Sequence, residues 1–290
     1  MINLVECILQ SIGYIEEHLH EPVTVSDMAD SAGYSVFHFI RSFNQVVQHT
    51  PYDNLMRRRL TKAASDLVSS NRRIIDIALD YCIGSQESFT RLFRKMFGQT
   101  PGQCRAAGKV PWWRTFQTKT FEDLCFSSQF DPVNTVLTEM ATIRLIGLMR
   151  RFEEGLNSRN DLRTALAADI LKNMKPLTNS EQFEIWSGIH PEQTEGYCFL
   201  GYLNSEVEKY SSMLVEQTIN GGWVVKVDIN QGEEVCAVRF LLSSWIPNRE
   251  LQPSLPLCLI IRKAVFSDLN SKKSLLIRVE RIEERKNSHE

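Results

Sequence analysis

Two stretches of the chain share one order of apolar, polar and helix-breaking residues, fifty positions apart. "GYSVFHFIRSF" (33–43) and "SQESFTRLF" (85–93) each place two phenylalanines one helical turn apart, with an arginine between them. Each stretch follows a short apolar segment with helical spacing and precedes a Thr-Pro pair. Helix signals and breaker signals that recur in the same order predict an internal repeat in which each copy is two helices joined by a tight turn.

The apolar spacing assigns the helices of each copy. A short first helix is expected to end at Gly33, and Ser35 is expected to cap a second helix that buries its phenylalanines. Ser85 caps the corresponding helix of the second copy. Between the copies, residues 51–69 predict one continuous helix, which at about 1.5 Å per residue spans about 28 Å. That length is close to the ~34 Å of one duplex turn, so one chain could place both second helices in successive major grooves.

Beyond about residue 140 the pattern changes to short apolar runs typical of strands. Helical periodicity returns at 158–172 and at about 231–245, whereas 115–136 is weakly patterned and is interpreted as a linker docking on one domain. Asn220-Gly221-Gly222 is a hairpin signal between the fourth and fifth predicted strands. An α+β domain with an antiparallel sheet is therefore predicted, with strands at 142–150, 183–189, 197–203, 212–219, 223–229, 257–263 and 274–282.

Charge separates the two regions of the chain. The net charge is −2, yet residues 35–114 contain thirteen Lys/Arg and five acidic residues, and residues 1–34 contain six acidic residues and no Lys/Arg. A single helical hairpin with a charged outer face is most often only a soluble hairpin. Two copies, a spacer of suitable length and a concentrated positive charge favour a double-stranded DNA ligand. Arg57-Arg58-Arg59 alone is more typical of a solvated face than of a phosphate clamp.

Composition points to an intracellular protein without catalytic chemistry. The seven cysteines are odd in number and lack a C-x-x-C pair, which is typical of reduced thiols. We find no secretory leader pattern and no apolar run approaching about 18 residues, so we expect a cytoplasmic location and no membrane span. Hydrolase, P-loop and zinc-protease motifs are absent, and Glu184 and Glu195 are the only acids that an enzymatic alternative would use. We therefore predict no enzyme activity, no cofactor and no metal site.

The two repeat copies also resemble a known family. "DMADSAGYSVFHFIRSF" (27–43) followed by "DIALDYCIGSQESFTRLFRKMFGQTPGQCR" (76–105) is similar to the double helix-turn-helix domain of AraC/XylS bacterial transcription regulators, and closest to the MarA, SoxS and Rob subgroup. The resemblance implies base-edge and methyl contacts in both units. Together with the outer helix faces it predicts these DNA-binding residues: Ser35, Phe37, His38, Arg41, Gln45, Ser85, Gln86, Glu87, Thr90, Arg91, Arg94 and Lys95.

Three departures from the family pattern change what is expected. Glu87 stands where the subgroup usually has glutamine, and Val36 and Ile40 replace longer polar residues. A carboxylate accepts hydrogen bonds from cytosine but repels phosphate, so these changes predict an altered target sequence. Cys82-Ile83 replaces the usual Gly-Phe pair before the second copy, so the family pattern does not fix the turn geometry there.

The second half resembles the gyrase-inhibitor-like ligand-binding domain of multidrug-sensing regulators. The order of elements and "WIPNRELQPSLPLCLII" (245–261) carry this resemblance. Many members have a glutamate on the strand that follows, where this chain has Leu259, so a neutral or amphipathic effector is expected rather than a cation. The expected ligand-binding residues, each of which could instead be core, are Trp186, Tyr197, Phe199, Trp223, Trp245 and Leu259.

These resemblances imply a multidomain architecture and a regulatory function. We expect an all-α double helix-turn-helix domain (1–110), a linker (111–136) and an α+β effector-binding-like domain with an antiparallel sheet (137–286). The implied function is a transcription regulator, an activator of stress or multidrug response that binds promoter DNA, recruits RNA polymerase and senses a small-molecule effector. The alternative is that the second domain binds a protein partner or dimerises without a ligand.

Overall fold

The computed structural model divides into two compact units. The first contains residues 1–130 and 236–245, and the second contains residues 131–235 and 246–290. The chain therefore leaves the first unit and returns to it for ten residues. The residues described are 2–111, 114–129, 135–152, 159–177, 180–187, 196–230, 233–249, 251–254, 258–263 and 273–281.

The first unit is helical, as the repeat predicts. Its core is built from apolar side chains of all four paired helices and of the helix that precedes them. Its described helices are α1 (Ile2–Glu17), α2 (Val25–Ser31), α3 (Val36–Val47), α4 (Pro51–Ser69), α5 (Ile74–Asp80), α6 (Gln86–Phe97), α7 (Pro101–Ala107) and α8 (Phe121–Gln129).

Local caps explain where these helices begin. Thr24 Oγ1 accepts a hydrogen bond from Asp27 N–H, and the Asp27 carboxylate accepts from Thr24 N–H in return. Thr100 forms the same reciprocal pair with Gln103 at the start of α7, whereas Thr50 Oγ1 only accepts from Asp53 N–H at the start of α4, and each threonine is followed by a proline that has no N–H to satisfy. Since these two Thr-Pro pairs lie fifty residues apart, a new helix begins at the matching position after α3 and after α6.

Part of the predicted linker belongs to the first unit. Phe116 is buried and its N–H donates to Thr61 Oγ1 at 2.9 Å, and Leu124 of α8 is fully buried in the helical core. The segment 236–245 also folds here: Lys119 Nζ donates to Ser243 Oγ at 2.7 Å, and Arg239 forms a 3.1 Å ion pair with the buried Asp123. Burial lowers the pKa of Lys119 to about 8. These contacts join residues that are distant in the sequence, so a local pattern of residues does not predict them.

The second unit is built on an antiparallel sheet, with α9 (Arg159–Asn173) among its elements and the first two residues of α10 (Glu234–Phe240). Among the described residues nine strands form one sheet in the order β1-β8-β11-β10-β4-β5-β2-β7, with β9 pairing β11, and β3 pairs with β6 separately. The strands are β1 (Thr135–Met140), β2 (Ile143–Phe152), β3 (Met174–Pro176), β4 (Gln182–Ser187), β5 (Gly196–Leu203), β6 (Val207–Tyr210), β7 (Val215–Ile219), β8 (Gly222–Ile229), β9 (Leu251–Pro253), β10 (Cys258–Lys263) and β11 (Lys273–Arg281).

The hairpin prediction at Asn220-Gly221-Gly222 is wrong. β7 pairs with β2, whereas β8 pairs with β1 and β11. The turn instead carries the chain between strands that are not neighbours, and Gly221 N–H donates to Thr142 Oγ1 at 3.0 Å. Turn chemistry specifies a sharp reversal, but the pairing partner of each strand depends on distant residues. No helix in the described part of the chain is long and apolar enough to cross a membrane.

Candidate nucleic-acid interface

The helix α3 presents an exposed face opposite its buried one. Phe39, Phe43 and Val46 are buried in the core, which leaves the preceding and intervening positions outside. Phe37 is the extreme case, with 81% of its surface exposed. All five residues predicted from this helix and its cap are exposed: Ser35, Phe37, His38, Arg41 and Gln45.

The helix α6 repeats this division with different outer residues. Phe89 and Phe93 are buried at the positions that match Phe39 and Phe43. Ser85 is partly buried because its Oγ caps the helix, accepting a hydrogen bond from Ser88 N–H at 3.1 Å. Of the other predicted residues Thr90 is partly buried, and the exposed ones are Gln86, Glu87, Arg91, Arg94 and Lys95.

The two turns that aim these helices have the same backbone geometry. Gly33 adopts a positive φ of 72° and Tyr34 N–H donates to Ala29 O at 3.0 Å. In the second helix-turn-helix copy Cys82 takes φ 56° and Ile83 N–H donates to Ala78 O at 2.9 Å. The turn with Cys82-Ile83, whose geometry the family pattern left open, therefore matches the turn with Gly33-Tyr34. A side chain in this left-handed region is strained by about 1 kcal/mol.

The three consecutive arginines of α4 have structural roles, so the expectation of a solvated face is wrong. Arg58 is buried and forms a two-point ion pair with Glu16, at 2.5 and 2.7 Å. Arg59 is also buried and donates to Leu19 O at 2.9 Å. Arg57 pairs with Asp53 at 2.7 Å. Since these cations are already paired or bonded within the unit, little of the α4 charge is left for phosphate.

Four exposed cations lie on the outer faces of α3 and α6, in addition to the exposed Lys62 of α4 and Lys109 elsewhere in this region. Arg72 and Arg73 pair with Asp80 and Asp76, and Arg105 donates to backbone carbonyls. By contrast, within the described part of the chain no ion pair involves the four exposed cations of α3 and α6, which are Arg41, Arg91, Arg94 and Lys95. The outer faces of α3 and α6 thus combine a small set of cations with neighbouring residues that can read base edges.

Two exposed residues of α3 were absent from the predicted contacts. Val36 and Ile40 lie on the outer face beside Phe37 and Arg41, with 40% and 36% of their surfaces exposed. The repeat itself carries the signal that would have identified them. Fifty residues on, the matching positions are Gln86 and Thr90, both predicted contacts.

The six predicted ligand-binding residues do not form one set. Residues paired across antiparallel strands share a face of the sheet. Leu259 pairs with Trp186 and with Ile277 in the register. Tyr197 and Phe199 flank Cys198, the partner of Trp186, and therefore belong to the opposite face.

The other two predicted positions divide as well. Trp223 lies two residues before Val225, the partner of Ile277, which places it on the face of Trp186. Trp245 is buried and lies in the first unit. Because side chains alternate between the two faces of a strand, the predicted aromatic residues are divided between both faces of the sheet and the first unit.

A carboxyl group joins the face that holds Trp186. Glu184 lies two residues earlier on β4, and its carboxylate accepts a hydrogen bond from Trp186 Nε1. Burial raises the pKa of Glu184, and the Trp186 bond opposes that rise. Phe152 packs on Trp186 with 5.6 Å between ring centroids. In the residues that the structure describes, no group of three or more His, Cys, Asp or Glu could hold a metal ion.

Comparison with known proteins agrees with this geometry. A family model described as a helix-turn-helix domain matches residues 28–107. The regulatory protein SoxS of Escherichia coli K12 is 38% identical over 94 residues, which are 32% of this chain and 88% of SoxS. The right origin-binding protein of the same organism is 41% identical over 150 residues, 52% of this chain and 50% of that protein, so the chain spans about half its length.

A solved AraC-type transcriptional regulator from Chromobacterium violaceum also matches. It is 25% identical and covers 37% of this chain and 95% of its own, with a TM-score of 0.35. The Salmonella typhimurium regulator Rob is 40% identical over 103 residues, 36% of this chain and 35% of Rob. Rob is a transcriptional regulator by name and SoxS a regulatory protein, and the match covers 88% of SoxS. The chain therefore belongs to the AraC-type helix-turn-helix family of transcription regulators, in the subgroup that contains SoxS and Rob.

Proposed function

We propose that this protein is a sequence-specific regulator that binds double-stranded promoter DNA through α3 and α6. The supporting observation is that both helices bury two phenylalanines at matched positions and expose an arginine one turn from their N-terminal residues. A major groove admits a helix of this kind, and its first residues meet base edges. One chain thereby recognises two adjacent elements of one site.

The exposed cations of α3 and α6 have two roles in the proposed complex, base contact and phosphate contact. Arg41 and Arg91 are placed to bond guanine, whereas Arg94 and Lys95, near the C-terminal end of α6, suit phosphate. Phosphate contacts supply affinity that falls with salt, and base contacts supply sequence preference. Transcription activation by recruitment of RNA polymerase is part of the proposal and rests on membership of the SoxS and Rob subgroup.

Selection of DNA by the full-length protein tests this function. Duplexes enriched from a random library should carry two conserved elements with centres about one helical turn, or ~10 base pairs, apart. Arg72→Ala, which removes an exposed arginine already paired with Asp80, serves as a matched control and should enrich the same site. Failure to enrich any site, or a single conserved element, would contradict the proposal.

We infer further that the second unit senses a neutral or amphipathic small molecule. The face of the sheet that contains Glu184, Trp186 and Trp223 supports this, since it combines indole rings with one partly buried carboxyl group. Apolar surface with a few placed polar groups is typical of small-molecule sites. The Glu184 carboxyl group, which already accepts a hydrogen bond from Trp186 Nε1, offers a polar contact beside the indole rings, and this combination suits an amphipathic ligand.

The competing proposal is that this unit binds a protein or a second copy. The opposite face favours it, because Met149 and Tyr197 expose large apolar surface there. Tryptophan fluorescence of the full chain, titrated with a neutral detergent below its micellar concentration, with deoxycholate and with tetraphenylphosphonium, separates the two. Saturable quenching that Trp186→Phe abolishes supports sensing. No response to any probe, with dimers in sedimentation, supports the interaction function.

A further inference from the structure

We propose that α3 reads its half of the DNA site mainly through the 5-methyl groups of thymine, using Val36, Phe37 and Ile40. This inference rests on the proposed DNA-binding function and names the bases that one of its two helices selects. Three large apolar side chains stand exposed on this helix while its opposite face fills the core. Exposed apolar surface that the fold does not use indicates a binding site.

The three side chains form one patch with the cation of the helix. Val36 and Ile40 are four residues apart, as are Phe37 and Arg41, and such pairs are neighbours on a helix surface. His38 lies to the side, where its ring contacts Tyr34 with 4.5 Å between centroids. The patch therefore consists of apolar groups bordered by one guanidinium group.

The second copy shows that the fold does not require this apolar character. At the positions matching Val36, Phe37 and Ile40, α6 carries Gln86, Glu87 and Thr90. Both helices have twelve residues, and both bury matched phenylalanines. A polar face is thus compatible with the same local structure, so the apolar face of α3 serves recognition rather than stability.

The chemistry of the major groove identifies the base. Thymine presents the only apolar group there, its 5-methyl, whereas the other bases present donors and acceptors that apolar side chains cannot bond. Covering an adenine or cytosine amino group with valine or isoleucine would remove water from it without replacement. The patch therefore favours thymine and penalises its replacement.

Charge identifies DNA rather than a protein as the occupant. Arg41 borders the patch, and the helix belongs to the region in which Lys/Arg exceed acidic residues by thirteen to five. No acidic side chain lies on α3. A polyanionic duplex that carries methyl groups matches both the charge and the apolar surface.

Replacing thymidine by 2′-deoxyuridine removes only the methyl group and so provides a direct test. In a selected duplex, uracil in the α3 half should weaken binding of the full-length protein by about fourfold per contacted methyl, the equivalent of about 0.8 kcal/mol at the value of a buried methylene. Uracil in the α6 half should change affinity less than twofold.

A variant carrying the residues of the second copy is the matched control. Val36→Gln with Ile40→Thr should reduce the uracil penalty to the part that Phe37 contributes, while the protein still binds DNA. Gln86→Ala should leave the penalty unchanged.

The outcomes separate this inference from the proposed function. Specific binding with equal affinity for thymine and uracil duplexes overturns the inference alone and would reassign the patch to a protein partner. Absence of any specific complex overturns the proposed function and the inference with it. A uracil penalty of undiminished size in the double variant overturns the roles given to Val36 and Ile40.

Discussion

The helices α3 and α6 have one architecture and two chemistries. Each is a twelve-residue helix that buries phenylalanines four positions apart. Each is followed by a Thr-Pro pair, and the two pairs lie fifty residues apart in the sequence. Their outer faces, however, differ at almost every matched position, apart from Arg41 and Arg91. A small buried set is sufficient to specify the helix-turn-helix, which leaves the outer residues free to diverge toward different DNA elements.

The turns before α3 and α6 also share one backbone geometry with different residues. Gly33 and Cys82 both adopt left-handed backbone conformations, although only glycine does so without strain. The hydrogen bonds around them are equivalent, so the surrounding core imposes the turn on Cys82. The backbone geometry of the turn at Cys82 is therefore held by tertiary packing more than by local preference.

The largest expected difference between the helices comes from removing an arginine. Arg91→Ala should cost about 1 to 3 kcal/mol on the best site and relax preference within the α6 element only. Arg41→Ala should do the same within the α3 element. Anisotropy titrations on the selected and scrambled duplexes measure both losses. An equal loss on scrambled DNA would make Arg91 a phosphate contact.

Exchanging the acid of α6 sharpens the contrast in base chemistry. Glu87→Gln should move preference at one base pair from cytosine toward adenine by about 1 kcal/mol, since an amide can bond adenine and a carboxylate accepts from cytosine. Binding to all duplexes should also strengthen at low salt because a charge that repels phosphate is lost. Glu122→Gln on α8 is the control for charge alone. An unchanged base preference would contradict the role of Glu87.

The turns offer a pair of substitutions with opposite signs. Cys82→Gly should raise the free energy of unfolding by at most about 0.5 kcal/mol, because the relief of about 1 kcal/mol of left-handed side-chain strain is partly offset by the added chain entropy. Gly33→Ala should lower it by about 1 kcal/mol, since the Cβ meets no neighbour and only the conformation is penalised. Urea unfolding monitored by circular dichroism measures both. Two changes of the same sign would contradict this account.

The smallest expected effect is a pH dependence from a buried histidine that follows α3 and has no titratable counterpart after α6. His49, which follows α3, is buried and contacts Asp53 through Nδ1 at 2.9 Å and Ser244 Oγ through Nε2 at 3.1 Å. Burial lowers the pKa of His49, with the nearby cations of Arg57 and Lys119 adding to this effect and the Asp53 bond opposing it. Its counterpart after α6 is Gln99, which does not titrate.

The sign of the dependence follows from linkage. A lowered folded-state pKa means that the unfolded chain binds a proton more readily, so stability falls as pH drops below the ordinary histidine value of about 6.5. Urea unfolding at about pH 7.5 and about pH 5.5 should show this loss. His49→Gln, which copies Gln99, should reduce the loss. The same slope in both proteins would exclude His49 as its source.

The repeat, the Ser85 cap and the buried faces of α3 and α6 could be predicted from sequence because each depends on neighbours within one or two helical turns, whereas Ser35 occupies the predicted cap position of α3 without a side-chain hydrogen bond to the helix. The exposed faces followed directly, which is why ten of the twelve predicted DNA-binding residues are exposed and the other two, Ser85 and Thr90, are partly buried. Strands β2, β5 and β8 were located for the same reason. Their alternating or continuous apolar runs are local properties of the chain.

Tertiary structure alone decided which distant residues meet. It paired β7 with β2 instead of β8, joined residues 236–245 to the helical unit, and assigned Arg58 and Arg59 to internal partners. It also placed Phe199 and Trp186 on opposite faces of one sheet. Each of these outcomes depends on long-range burial and register, which a local pattern of residues permits but does not select.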